Sequence, residues 1–356
     1  APCLRVGERA RGLHRRRART VARVTGAVAI TGLGAVTALG GDVAALQAAL
    51  ADGRCGIGPL TAFAHAGRCQ VAAQVPELPS RAAAGLPPAT ARRLSAADRF
   101  ALVAVEEACR GAGLEGMLRR DAALQVGATT GGMRETEEAY RRRRVGVDRR
   151  FRLSRLLATP LSTPAGVVSQ ALGIFGPRAT FSTACSSSAL ALGAAADTIR
   201  RGEARVALAV GTDQLCRLTY AGFEALQALD PGPCRPFDRG RRGLSLGEGA
   251  GALVLEDPEH ARARGVRIRA LLLGWATTTD AHHVTAPHPE GAGALRALVD
   301  ALAAAGVAPD AVDYVNAHGS ATPQNDAVEI TVLRASAPAA RIAATHWQLG
   351  GQGLLQ

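Results

Sequence analysis

The residue best placed for chemistry is Cys185, in the segment TFSTACSSSALALGAAADTIRRG. It falls where an apolar, strand-like run (RATFSTA, 178–184) gives way to an Ala-rich helical stretch (186–201). The first N–H groups of such a helix lack partners, and its positive dipole end favours a thiolate. Ala184, Ser186, Ser187 and Ser188 are small enough for a tight strand-to-helix turn that leaves the sulfur accessible. That is the setting of a nucleophile. The other six cysteines, Cys3, Cys55, Cys69, Cys109, Cys216 and Cys234, have no such context and read as buried structural thiols.

A thiol nucleophile needs an imidazole within reach. His318, in VNAHGSATPQND, stands just past a strand-like run, with Ser320, Thr322 and Asn325 on the same loop. His346 is the one imidazole in the last segment, ARIAATHWQLGGQGLLQ. A third histidine group, His282, His283 and His288 in DAHHVTAPHPEG, does not read as zinc ligands. Adjacent histidines point apart on a strand, and no cysteine or carboxylate completes a tetrahedral set. The glycine-rich GATTGGM (127–133) lacks the GK[ST] ending of a phosphate loop. All 42 cationic side chains other than histidine are arginine, so no lysine chemistry is available.

The elements that must carry these residues alternate. Strand-like runs lie at 27–34, 123–129, 178–184, 205–212, 251–257, 267–276, 312–319 and 341–345. Helical stretches with apolar residues at i, i+3 and i+4 lie between them, at 96–112, 186–201 and 292–305 among others. This is an α/β pattern with largely buried sheets. ALVAVEEACRGAGL followed by ALQVGATTGG has the layout of ALRALVDALAAAGV followed by VDYVNAHGSAT. The echo predicts a duplicated α/β unit, with a seam near Asp257–Val266 and the loops of both halves converging on one site. Cys185 and His318 would then come from corresponding strand ends.

At 356 residues and 47% hydrophobic content the chain fills a large core. No apolar run approaches the ~18 residues of a membrane span. The net charge of +12 is concentrated at the start, where eight arginines face the single acid Glu8 before residue 24. That stretch, 1–23, reads as a disordered basic extension without the apolar core of a secretory signal. The cysteines form no CxxC pair, which fits a reducing, cytoplasmic setting.

In order, ITGLGAVTALG, GATTGG, STACSSSALAL, CRPFDRGRRGLSLGEGAGALVLE, DAHHVTAPHPEG and VNAHGSATPQNDAVE make the chain resemble the β-ketoacyl-acyl-carrier-protein synthases. These are the elongating condensing enzymes of the thiolase-like fold, and the resemblance runs from about Ala27 to the end. It implies duplicated α/β units layered α-β-α-β-α, with 24–260 as the N-terminal half and 261–356 as the C-terminal half. It implies that Cys185 takes the acyl chain from carrier protein or coenzyme A as a thioester. His318 would position and decarboxylate the malonyl extender, and Ser320 and Thr322 would bond the phosphopantetheine arm. The implied partners are acyl carrier protein and a second synthase subunit, in a homodimer or a heterodimer. No cofactor, nucleic acid or membrane is implied. A same-fold transacylase and an impaired partner subunit that shapes chain length are the alternatives.

The last residues depart from the family pattern, which reads S-T-K, three residues, then G-H. One register puts Thr345 at the Thr, His346 at the Lys, Gly350 at the Gly and Gly351 at the second His, so that His346 becomes a third catalytic candidate. A rival register puts Trp347 at the second His. Glu248, near that lysine in the family, is left without its partner. The C-terminal half reads as truncated before the Gly-Phe-Gly-Gly strand. That predicts the loss of an oxyanion-hole donor, typically ~3 to 4 kcal/mol of barrier, with acylation surviving better than decarboxylation.

Overall fold

The computed structural model describes residues 26–76, 78, 86–146, 153–283 and 285–351. The basic stretch 1–23 and Cys3 lie outside the described residues. The first elements are β1 (Val28–Val36), α1 (Val43–Ala51), β2 (Ile57–Pro59), β3 (Val71–Ala73), α2 (Pro88–Ala91), α3 (Ala96–Gly111) and α4 (Gly116–Arg120). Then come β4 (Ala123–Gly127), α5 (Met133–Arg144), α6 (Thr163–Leu172), β5 (Arg178–Phe181), α7 (Ser187–Arg200), β6 (Val206–Asp213), α8 (Arg217–Ala225) and β7 (Gly249–Glu256). The remainder are α9 (Pro258–Ala263), β8 (Ala270–Leu272), α10 (Ala292–Ala305), β9 (Tyr314–Asn316), α11 (Pro323–Ser336), β10 (Arg341–Ala343) and α12 (His346–Leu349).

A six-stranded mixed sheet in the order β5-β4-β6-β7-β1-β8 forms the centre. β5, β4 and β6 run parallel, and the β6–β7, β7–β1 and β1–β8 pairs are antiparallel. Alternate strand residues serve opposite faces, as the period of two requires. Leu124, Val126, Leu208, Val210 and Val254 pack toward α3. Ala123, Ala207, Ala209 and Leu255 pack toward α7 with its Ala195, Ala196 and Ile199. Close approach on the α3 side depends on glycine: a Cβ at Gly34 would sit 1.8 Å from the Ala104 carbonyl oxygen. α3 opens with a capping box, in which Ser95 Oγ accepts from the Asp98 N–H (3.1 Å) and Asp98 Oδ2 accepts from the Ser95 N–H (2.8 Å).

Each of the eight expected strands is present, five of them shorter than expected and β1, β6 and β7 shifted by one or two residues at their ends, and the expected helices match α3, α7 and α10. One pairing differs from the simple duplication. β8, expected to open the second unit, is only three residues long and extends the first sheet by pairing with β1 (Val28↔Leu272, Ile30↔Ala270). The described second unit has a separate two-stranded parallel sheet, β10–β9, and α10 packs against α11. Among the described residues no helix is long and apolar enough to cross a membrane.

Candidate active site

Cys185 sits in a 3-10 turn, Ala184–Ser186, that runs directly into α7. The turn is strained: Ala184 has φ +53°, a left-handed conformation that costs a residue with a Cβ free energy. Hydroxyls hold it in place. Ser187 Oγ donates to the Ala184 carbonyl (2.7 Å) and accepts from the Thr183 N–H (2.9 Å). Thr129 Oγ1 donates to the same Ala184 carbonyl (3.2 Å). β4 ends on Gly127 because a Cβ there would lie 2.5 Å from the Ser187 backbone.

His318 follows β9, and Glu329 of α11 fixes the turn that carries it. The Glu329 carboxylate accepts from the backbone N–H groups of both His318 (2.6 Å) and Gly319 (2.8 Å). Gly319, at φ +49°, leaves no room for a side chain against Ala344 and Phe237. His346 begins α12 and is buried. The two imidazoles meet edge to face, with centroids 5.1 Å apart and planes at 83°.

Cys185, His318, Ser320 and His346 line one pocket, with Thr129 and Gly351 beside them. Its opposite wall is apolar, made by Phe223, Leu244 and Leu246. Thr322 stands one step outside: it caps α11, and its hydroxyl bonds that of Ser320 at 2.9 Å. Gly351 is placed next to the His346 ring, where a Cβ would be 2.6 Å from Cδ2 and 2.8 Å from Nε2. The His346 ring and a side chain at 351 would thus compete for one space. Trp347 is more than a third exposed and is not part of the pocket. Of the residues the two registers single out, His346 and Gly351 line the pocket and Trp347 does not.

The electrostatics correct one expectation. The start of α7 was expected to favour a Cys185 thiolate, but desolvation raises the thiol above its usual range, and nearby Asp213 raises it further. A bond from its own backbone pulls the other way. The residue is exposed and lines the pocket. Burial lowers His318, against the pull of Glu329 and Asp326. It lowers His346 to about 4, helped by the repulsion of His318 and opposed by a hydrogen bond with the His318 backbone. The site therefore holds a protonated thiol and neutral imidazoles near pH 7, groups able to exchange a proton with a thiol or to donate to a developing oxyanion.

Other sequence readings change with the structure in view. Cys55, expected to be buried, is exposed, and its thiol donates to the Trp347 carbonyl (3.0 Å). Cys69, Cys109, Cys216 and Cys234 are buried. Glu248 has a partner after all: Arg134 reaches it at 3.4 Å, and the Leu215 N–H donates to it at 3.1 Å. Among the described residues no group of three or more His, Cys, Asp or Glu side chains is placed to hold a metal ion. Sequence reasoning missed Asp213 and Glu329, the carboxylates behind Cys185 and His318. A lone acid ending the otherwise uncharged strand VALAVGTD was the available signal for the first.

The profile of the family described as "Beta-ketoacyl synthase, N-terminal domain" matches residues 25–261, and that of "Beta-ketoacyl synthase, C-terminal domain" matches 269–349. The chain belongs to the β-ketoacyl synthase family. This ketosynthase is 40% identical over 305 residues to nodulation protein E of Rhizobium meliloti, covering 83% of this chain and 73% of that protein. It is 37% identical over 257 residues to 3-oxoacyl-[acyl-carrier-protein] synthase 2 of Staphylococcus aureus, covering 68% of this chain and 62% of that one. In three dimensions it is similar to the ishigamide ketosynthase/chain length factor, with a TM-score of 0.85 and 32% identity over 92% of this chain and 82% of the other. The ketosynthase resemblance and the thiolase-like α/β fold are thus established, and with them the acyltransferase class.

Proposed function

We propose that this ketosynthase transfers an acyl group to Cys185 and condenses it with malonyl-carrier protein in fatty acid or polyketide synthesis. The observation that carries the reading is the convergence of Cys185, His318, Ser320 and His346, from both halves of the chain, on one pocket. We read 24–260 and 261–356 as those halves. In the first step the Cys185 sulfur attacks the thioester carbonyl of the incoming acyl group, and the phosphopantetheine thiol leaves with the proton. A neutral imidazole serves here because the thiol is held protonated. In the second step malonyl thioester loses carbon dioxide, and the enolate carbon attacks the Cys185 thioester. The 3-oxoacyl product leaves on the carrier, and the released Cys185 thiolate takes a proton from solvent to restore the thiol. His318 and His346 supply the donors that steady the enolate oxygen, and Ser320, tied to Thr322, orients the pantetheine arm. Substrates arrive as thioesters of acyl carrier protein or coenzyme A, and the scheme assigns no role to a cofactor.

The relatives' names support carrier protein as a partner and a heterodimer with a second synthase subunit as the assembly; a homodimer is the alternative. Free cysteines throughout the described residues support a cytoplasmic setting. The test is intact-protein mass spectrometry after incubation with acyl-carrier-protein thioesters, then with malonyl-carrier protein. An acyl adduct absent from Cys185→Ala, followed by a 3-oxoacyl product, is expected. An adduct that persists in Cys185→Ala defeats the assignment.

A further inference from the structure

Asp213 ends the central strand β6, is fully buried, and belongs to no step of the scheme above. Its carboxylate is gripped by one loop. Oδ1 accepts from the N–H groups of Thr129 (2.9 Å), Thr130 (2.6 Å) and Gly131 (3.2 Å) and from the Thr130 hydroxyl (2.9 Å), while Oδ2 also accepts from the Thr129 N–H (3.0 Å). Burial raises the acid's pKa above the usual carboxylate range, but every one of these partners is a donor, and it is this ring of donors that favours the ionised form. The gripped loop in turn reaches the nucleophile. Thr129 Oγ1 donates to the carbonyl of Ala184, the strained residue that precedes Cys185, and Thr129 and Thr130 both line the pocket.

We propose that Asp213 is a positioning residue for the nucleophile, its buried carboxylate clamping the Thr129–Gly131 loop against the Cys185 turn and placing a fixed negative charge behind the sulfur. Two consequences are separable. The clamp sets the geometry of the turn through Thr129. The charge opposes ionisation of Cys185, so that the thiol waits protonated until substrate or imidazole relieves it. The titratable groups around Cys185 are Asp213 on the β6 side and His318 and His346 across the pocket. Both imidazoles are neutral near pH 7, which leaves Asp213 as the charge that acts on the sulfur there.

The inference rests on Cys185 as the nucleophile, but its test needs no acyl substrate. Cys185 is alkylated with iodoacetamide across a pH series, the sulfur displacing iodide, and followed by peptide-resolved mass spectrometry so that exposed Cys55 does not contribute. In Asp213→Asn the midpoint of the rate profile should fall by roughly half a pH unit or more. In Thr129→Val, which keeps the charge and removes only the hydroxyl tie, the midpoint should stay and the high-pH plateau rate should change several-fold. A purely structural aspartate would leave the midpoint in place. A folded Asp213→Asn with the wild-type midpoint overturns the proposal. If that variant does not fold, a Thr129→Val profile identical to wild type in both midpoint and plateau overturns it. A shifted profile in a protein that forms no acyl adduct would keep this inference and defeat the condensing function.

Discussion

Replacing His346 by glutamine should flatten the acid limb of the stability curve. His346 is 7% exposed, and burial beside His318 brings its pKa from 6.5 down to about 4. Since the folded-state value lies below the unfolded one, the unfolded chain takes up the proton first as the solution is acidified. The contribution of His346 is therefore complete above about pH 6.5 and is lost as pH falls from there to about 4. At 1.36 kcal/mol per pKa unit, that interval corresponds to about 3 kcal/mol. Asp98 runs the other way. Burial raises it from 3.8 to about 6, so its contribution is present at low pH and lost as pH rises through that range. The wild-type curve is thus a mixture, and the difference between wild type and His346→Gln isolates the imidazole. Urea unfolding at a series of pH values from 4 to 7.5 measures it. Between pH 7 and 4 wild type should lose about 3 kcal/mol more than the variant. Curves that stay parallel within about 1 kcal/mol would refute the reasoning, because a histidine free to ionise in the folded state contributes no such slope.

Two further substitutions probe the supports of the site. Glu329→Ala strands the N–H groups of His318 and Gly319, and at about 1 to 3 kcal/mol for each unsatisfied donor it should destabilise by about 2 to 6 kcal/mol. Glu329→Gln should recover part of the loss, with urea unfolding and the rate of acyl-adduct formation as the two readouts. Gly351→Ala drives a methyl to within 2.6 Å of the His346 ring and should cost about 1 to 3 kcal/mol through overpacking. It should slow condensation more than acylation of Cys185, as mass spectrometry of adduct and product will show.

The strands were readable because an apolar run ending in a turn is a local signal, and β4, β6 and β7 are buried along nearly their whole length. The pairing of β8 with β1 was not readable, because the partner lies more than 200 residues away and three residues carry no register. Cys185 and His318 stood out through their flanking sequence, but the direction of the thiol's shift did not. A helix N-terminus is visible in a sequence, whereas the desolvation that outweighs it comes from residues brought together only by folding. The same holds for Glu248, whose expected partner was absent and whose actual partner, Arg134, approaches from α5. Glu329 hides for a related reason: its work is done on backbone N–H groups, which leave no trace in residue types.

The α12 turn that presents His346 rests on residues from the opposite end of the described chain. The Gly56 N–H donates to the Gln348 carbonyl (2.8 Å), and Cys55 bonds Trp347 across a sequence separation of 292 residues. Closing a loop of that length carries an entropic penalty of about 5 kcal/mol, recovered only when the surrounding contacts form. The expected order is that this turn forms after the six-stranded sheet has a framework to receive it. During synthesis on a ribosome the Cys185 turn can form well before His346 has left the exit tunnel. On the proposed scheme the Cys185 turn is therefore in place before His346 joins the pocket, and a chain caught short of that point carries its thiol without that imidazole.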